Sequence, residues 1–147
     1  MTGKTSILFI CTQNAGRSQM AEGYLRARYG DRYEVCSAGT HPSQVSRKAI
    51  AVMQEIGVDI SNHHAKSLDQ FAGREIDVAV TLCNHAQAVC PVFPWAKETL
   101  HQSFPDPGTF SGTDEEIMEQ VRGVRDEIVW WIDSRFGKAD APPEPGP

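Results

Sequence analysis

The sequence has no excess of positive charge: 14 Lys and Arg stand against 19 Asp and Glu, a formal net charge of −5. General nucleic-acid binding requires the opposite balance and is excluded, although a small local site can still be positive. Long hydrophobic runs are also missing. The apolar stretch Ile7-Leu8-Phe9-Ile10 is too short for the core of a secretion signal, and no cleavage pattern follows it. Nothing approaches the roughly 18 apolar residues of a membrane span. A soluble, cytoplasmic protein with no membrane partner is expected. Cysteine is scarce, four in 147 residues, and in a reducing compartment such a set points to catalytic or metal chemistry before a disulfide scaffold. The close cysteine pairs of zinc modules are absent, and His41, His63, His64, His85 and His101 show no ligand spacing, so no resident metal is expected.

What is present reads as one α/β domain over residues 1–137, followed by a disordered Pro-rich tail at 138–147. Ile7 to Ile10 form a continuous apolar run, as a strand buried on both faces requires. Met20, Tyr24, Leu25 and Arg28 recur at helical spacing up to Gly30. Residues 33–37 suggest a second strand, closed by turn signals at Ala38-Gly39 and His41-Pro42. Ala49, Ile50, Met53 and Ile56 predict a helix that Gly57 stops. Residues 76–82 predict a buried third strand and 99–103 a weaker fourth. Thr113 to Glu116 is a capping box, and Ile117, Val121, Val124, Ile128 and Ile132 continue it as one apolar stripe to about Gly137. Strands alternating with helices imply a four-stranded parallel sheet in a three-layer αβα arrangement. Ligands bind beyond the carboxyl ends of such strands, which is where Cys11 and Cys83 both fall.

Cys11 and Arg17 are separated by five residues, and Ser18 follows. A loop running from a buried strand into a helix start aims several backbone N–H groups at one point, with the helix dipole adding to them. Thr12, Gln13, Asn14, Ala15, Gly16, Arg17 and Ser18 are therefore candidate binders of a tetrahedral oxyanion, with Arg17 adding a two-pronged fork. The same positive field favours the nucleophilic form of a cysteine placed there, and Ser18 is positioned to donate to its sulfur. Gly16 supplies backbone freedom. No Gly-Lys-Ser/Thr follows the strand, so this is not a nucleotide-binding loop.

Cys11 through Gly23, together with Ser37-Ala38-Gly39-Thr40 and Ile60-Ser61-Asn62-His63, resembles the low-molecular-weight tyrosine phosphatase fold. More closely, it resembles the thioredoxin-coupled arsenate reductases built on that fold. The segment Cys83-Asn84-His85-Ala86-Gln87-Ala88-Val89-Cys90-Pro91 carries the distinction, because a phosphatase needs neither Cys83 nor Cys90. Read from the residues alone, the alternatives to a redox pair are small buried hydrophobes or half of a zinc site with His85, though the spacing is not that of zinc modules. Cys36, in a strand candidate without a motif, reads as structural.

The resemblance implies a relay. Cys11 attacks arsenate while Asp106, in the Phe104-Pro105-Asp106-Pro107-Gly108 turn, protonates the departing oxygen. Cys83 releases arsenite by forming a disulfide with Cys11, and Cys90 draws that disulfide away as Cys83–Cys90. Residues from Cys83 to about Trp95 rearrange, and thioredoxin supplies the electrons, ultimately from NADPH. Gly108 stands where phosphatases of the fold place an aromatic, which favours a small substrate such as arsenate, with phosphate or sulfate as analogues. Some relatives hold potassium near the loop; Asn14, Glu22 and Ser37 match those positions, but Lys66 replaces an acidic ligand. A Lys66 ammonium in place of the ion and a solvated surface Lys66 are both open. No bound cofactor and a monomer are expected. The alternatives are a low-molecular-weight tyrosine phosphatase, a non-catalytic oxyanion- or zinc-binding regulator, and a reductase coupled to glutaredoxin or a small thiol.

Overall fold

The computed structural model describes residues 4–82 and 93–137. Cys83, Cys90 and the 138–147 tail lie outside the described residues. Four parallel strands, β1 (Thr5–Cys11), β2 (Tyr33–Gly39), β3 (Ile76–Thr81) and β4 (Ala96–His101), form one sheet in the order β2-β1-β3-β4. The helices are α1 (Arg17–Tyr29), α2 (Arg47–Gln54) and α3 (Asp114–Phe136), with 3-10 turns at Leu68–Phe71 and Pro107–Thr109. The α/β class and four-stranded parallel sheet expected from the sequence are the ones observed.

β1 is central, and Ile7, Leu8, Phe9 and Ile10 are all buried because the sheet is covered on both sides. On one face Ile7 and Phe9 join Met20 and Leu25 of α1, Val52 and Met53 of α2, and the α3 stripe of Val121, Val124, Ile128 and Ile132. On the other, Leu8 and Ile10 pack with Phe71, Ala79 and Phe93. Among the described residues all three α-helices contribute to the first core, and the 3-10 turn carrying Phe71 covers the second face. Because chain connections leave β1 toward β2 on one side and β3 on the other, the crevice beyond Cys11 lies where the strand order reverses.

Three expectations are corrected. The second strand does not stop at Ser37 but takes in Ala38-Gly39, which pairs with Ile10 and Cys11 of β1. The fourth strand runs Ala96–His101, not 99–103. It is a sheet edge, bears the charged Lys97 and Glu98, and has no buried residue, so its hydrophobic signal is faint. Ile56 lies past the end of α2 and is exposed, with Gly57 in the left-handed region at φ 80°. The α3 start is as read. Thr113 Oγ1 accepts from Glu116 N at 3.1 Å, and Glu116 Oε1 accepts from Thr113 N at 2.8 Å. Trp131 packs partly against the core, whereas Trp95 and Trp130 are exposed.

Candidate active site

The loop between β1 and α1 is held from outside by its carbonyls. Those of Cys11, Thr12, Gln13 and Ala15 accept N–H groups from Thr40, His41, Ser43 and Ser46 at 2.7–3.3 Å. A peptide plane whose carbonyl is tied outward presents its N–H on the other side. The N–H groups of Gln13, Ala15 and Gly16 have no acceptor among the described residues, leaving them for an anion. Gly39 lets the shelf approach this closely: a Cβ there would sit 2.5 Å from the Thr12 carbonyl oxygen and 2.8 Å from Asn14 N. The loop is legible in the sequence and its shelf is not; Ala38-Gly39, which ends β2, is the shelf's local trace.

Cys11 Sγ lies at the floor, 97% buried. Asn14 N donates to it at 3.2 Å, and Ser18 Oγ lies 2.9 Å away. Ser18 already accepts from Asn14 Nδ2 at 2.7 Å, so its own hydrogen is free for the sulfur. Two donors thus converge on Sγ, the arrangement an anionic sulfur needs. Asn14, not Gly16, makes the left-handed turn, at φ 52°. Asn is the non-glycine residue that tolerates this conformation best.

Asn14 and Ser18 are fully buried behind the loop, while Thr12, Gln13, Ala15, Gly16 and Arg17 line the cavity with Cys11. That cavity is about 470 Å³. Arg17 is fixed at its wall: Nη1 donates to the carbonyls of Leu82 and Phe104, each at 3.2 Å, and Nη2 stands 3.8 Å from Asp106 Oδ1. Asp106 lines the same cavity, at the start of the Pro107–Thr109 turn whose Thr109 N and Oγ1 both donate to its carbonyl.

Beneath the loop is a polar network that the motif did not announce. Asn14 Nδ2 also donates to Ser37 Oγ at 2.9 Å, and Ser37 donates to Glu22 Oε1 at 2.5 Å. Asn14 Oδ1 accepts from Gln19 Nε2 and from Lys66 N. Buried Gln19 links onward, its Oε1 accepting from His63 Nδ1 at 2.9 Å. Lys66 Nζ stands 3.6 Å from Glu22 Oε1 and donates to the His64 carbonyl at 3.1 Å, with its side chain 15% exposed. Burial alone would push the Glu22 carboxyl up. The Ser37 hydrogen bond and the Lys66 and Arg26 charges outweigh it and hold the carboxyl below its ordinary value. Among the described residues no three His, Cys, Asp or Glu side chains converge as a metal site.

Residues 6–128 match the profile of the low molecular weight phosphotyrosine protein phosphatases. The chain belongs to this family. Within it, the chain is 46% identical over 125 residues to an arsenate reductase of Halalkalibacterium halodurans, spanning 85% of this chain and 90% of that one. It resembles a solved arsenate reductase in a phosphate-binding state, with TM-score 0.71 and 30% identity over 87% of this chain and 95% of that chain. It also resembles a thioredoxin-dependent arsenate reductase of Corynebacterium glutamicum, with TM-score 0.61 and 31% identity over 88% of this chain and 62% of that one.

The loop between β1 and α1 accounts for one of the four cysteines. Cys36, whose register partner is Leu8, packs in the core of the opposite sheet face from Cys11. Burial and the nearby Glu22 charge push its thiol up, away from reactivity. Leu82, the last described residue before Cys83, donates its N–H to the Ile10 carbonyl at 2.8 Å and receives Arg17 on its own carbonyl. No helix among the described residues is long and apolar enough to cross a membrane.

Proposed function

We propose that the protein reduces arsenate to arsenite through a three-cysteine relay regenerated by thioredoxin. The observation that carries the reading is the double tie at Leu82. Its N–H bonds Ile10, one residue before the nucleophile, and its carbonyl bonds Arg17 of the oxyanion loop. Cys83 is the next residue in the sequence. The arsenate reductases among the relatives support the substrate, and the thioredoxin-dependent one supports the electron source.

In this reading the loop N–H groups and Arg17 bind arsenate, and the Cys11 sulfur attacks arsenic. Asp106 gives a proton to the departing oxygen, which leaves as water. The Cys83 thiolate then attacks Cys11 Sγ. A Cys11–Cys83 disulfide forms, the S–As electron pair passes to arsenic, and arsenate(V) departs as arsenite(III). Cys90 attacks Cys83, freeing Cys11, and the dithiol of thioredoxin reduces the Cys83–Cys90 bond. The third thiol favours thioredoxin over glutaredoxin or a small thiol, which could resolve the adduct without it.

Arsenate-dependent NADPH oxidation with thioredoxin and its reductase tests this. We expect Cys11→Ser to lose all turnover, including any on a phosphoester. Cys83→Ser should lose arsenite release yet keep phosphoester hydrolysis. Cys90→Ser should stop after one turnover with a Cys11–Cys83 disulfide, identifiable by mass spectrometry of its peptides. Normal turnover by Cys83→Ser and Cys90→Ser would sink the relay and leave a phosphatase.

Potassium is not part of this reading. The Lys66 ammonium already supplies positive charge beside Glu22, so Asn14, Glu22 and Ser37 do not fit a further cation. Exchanging potassium for a bulky organic cation at constant ionic strength is expected to leave turnover unchanged; marked potassium activation would refute it.

A further inference from the structure

The cavity above Cys11 is far larger than one tetrahedral oxyanion, which displaces on the order of two waters, roughly 60 Å³. Part of its remaining wall is the first turn of α2: the N-cap Ser46, then Lys48 and Ala49. Three other cations near the loop are already engaged, and Arg47, the first residue of α2, is exposed and does not line the cavity. Arg17 serves two carbonyls and Asp106, Lys66 serves Glu22 and the His64 carbonyl, and Arg26 serves Glu22 and the Val35 carbonyl. Lys48 is exposed, lines the cavity, and has no hydrogen bond or ion pair among the described residues.

In a chain of net charge −5, a doubly charged oxyanion approaches against the overall field. Local positive potential at the mouth reverses that, and Lys48 stands where the dipole of α2 adds to it. A lysine is a point charge on a flexible stem, so it can meet an anion at the rim and stay with it as it settles. In the oxyanion reading the loop N–H groups and the remaining Arg17 donors hold the inner oxygens, and Lys48 is the other cation lining the cavity, left for the outer ones.

We propose that Lys48 is a substrate-binding residue that captures the oxyanion at the mouth and pairs with its outward oxygens, selecting the more highly charged form. The proposal rests on the cavity being an oxyanion site, but its test needs neither Cys83, Cys90 nor thioredoxin. Calorimetric binding of inorganic phosphate to the reduced full-length protein is measured for wild type, Lys48→Gln, Lys48→Arg and Lys48→Glu. Lys97→Gln, at the opposite end of the sheet and paired with Asp77, is the charge-matched control.

At low ionic strength Lys48→Gln should weaken phosphate about fivefold, and Lys48→Glu by more, as expected for losing or reversing a charge facing a dianion. Lys48→Arg should stay within about twofold, and Lys97→Gln should be unchanged. The gap between wild type and Lys48→Gln should close toward 0.5 M salt, where the Debye length is about 4 Å. In turnover, KM for arsenate should rise with the phosphate dissociation constant while kcat stays nearly constant. Equal phosphate affinity in Lys48→Gln and wild type, or a loss in kcat without one in affinity, overturns the proposal. A wild type that binds no phosphate overturns the oxyanion site itself and the role of Lys48 with it.

Discussion

Both hydrogens of the Asn14 side-chain amide are used, on Ser18 and Ser37, and its oxygen receives Gln19 and Lys66 N. Such saturation holds a non-glycine residue at φ 52° and, through its backbone N–H, sets one donor on Cys11 Sγ. The other donor is Ser18, whose Oγ also accepts from Asn14 Nδ2, so removing it takes one hydrogen bond from the sulfur and one from the turn. Ser18→Ala should slow alkylation of Cys11 by iodoacetamide near neutral pH by about tenfold, the worth of one hydrogen bond to a charged group. It should also lower kcat by a similar factor and cost about 1–3 kcal/mol of stability, because a buried Asn14 amide hydrogen loses its acceptor. Alkylation at the wild-type rate would mean that Ser18 fills space only. The motif spacing made Ser18 legible as a donor because it follows Arg17 on the first helical turn. It could not give Asn14 its role, since three of that side chain's partners come from residues 37, 19 and 66.

At the scale of elements, local rules were sufficient where one segment settles its own conformation. The α3 capping box is closed within four residues, and the helix begins where the sequence placed it. Thr113→Ala should cost about 1 kcal/mol, lowering Tm by roughly 2–4 °C for a domain of this size; a scanning calorimeter resolves that. An unchanged Tm would show that burial of the apolar stripe alone fixes the helix start. β4 shows the opposite case. Its sequence Ala-Lys-Glu-Thr-Leu-His has little apolar signal because an edge strand gains its place from pairing with β3, a property of the partner. The α1–α3 contact was likewise invisible. Tyr24 and Tyr29 both donate to Asp133, more than a hundred residues later, and burial, followed by the hydrogen bond to Asp133 and then its charge, pushes both phenols up.

At the scale of the whole molecule, two titrating groups under the loop link stability to pH in the same direction. Burial first, with Arg26 and Lys66 adding to it, holds His63 below its ordinary value of 6.5 despite the opposing pull of Glu22. Glu22 is held below 4.5 by Ser37 and its cations. In each case the unfolded chain binds more protons than the folded one in the window below the ordinary value, so stability falls as pH falls. The His63 contribution is full above about pH 6.5 and is lost downward from there; the Glu22 contribution is full above about pH 4.5 and is lost below it. Urea midpoints measured from pH 8 to pH 4 should therefore decline, beginning near pH 6.5. Glu22→Gln should lower stability at pH 7 by about 3 kcal/mol, because it leaves a largely buried Lys66 without its counter-charge. It should also flatten the profile below pH 4.5. A midpoint independent of pH in wild type would contradict both shifts.

The sequence by itself determined the elements whose signals are local: the buried run of β1, the glycine-bearing loop between Cys11 and Arg17, the cap and stripe of α3, and thus a parallel α/β sheet with a thiol at its carboxyl end. Tertiary structure alone decided which side chains meet. It put Cys36 on the far face from Cys11, tied the loop carbonyls to residues 40–46, and brought Lys66 against Glu22. It also brought the exposed Lys48 to the wall of the cavity that holds Cys11. Periodicity and caps act within about one turn or strand, so they can be read along the chain. Convergence of distant side chains depends on strand order and packing, which no single segment encodes.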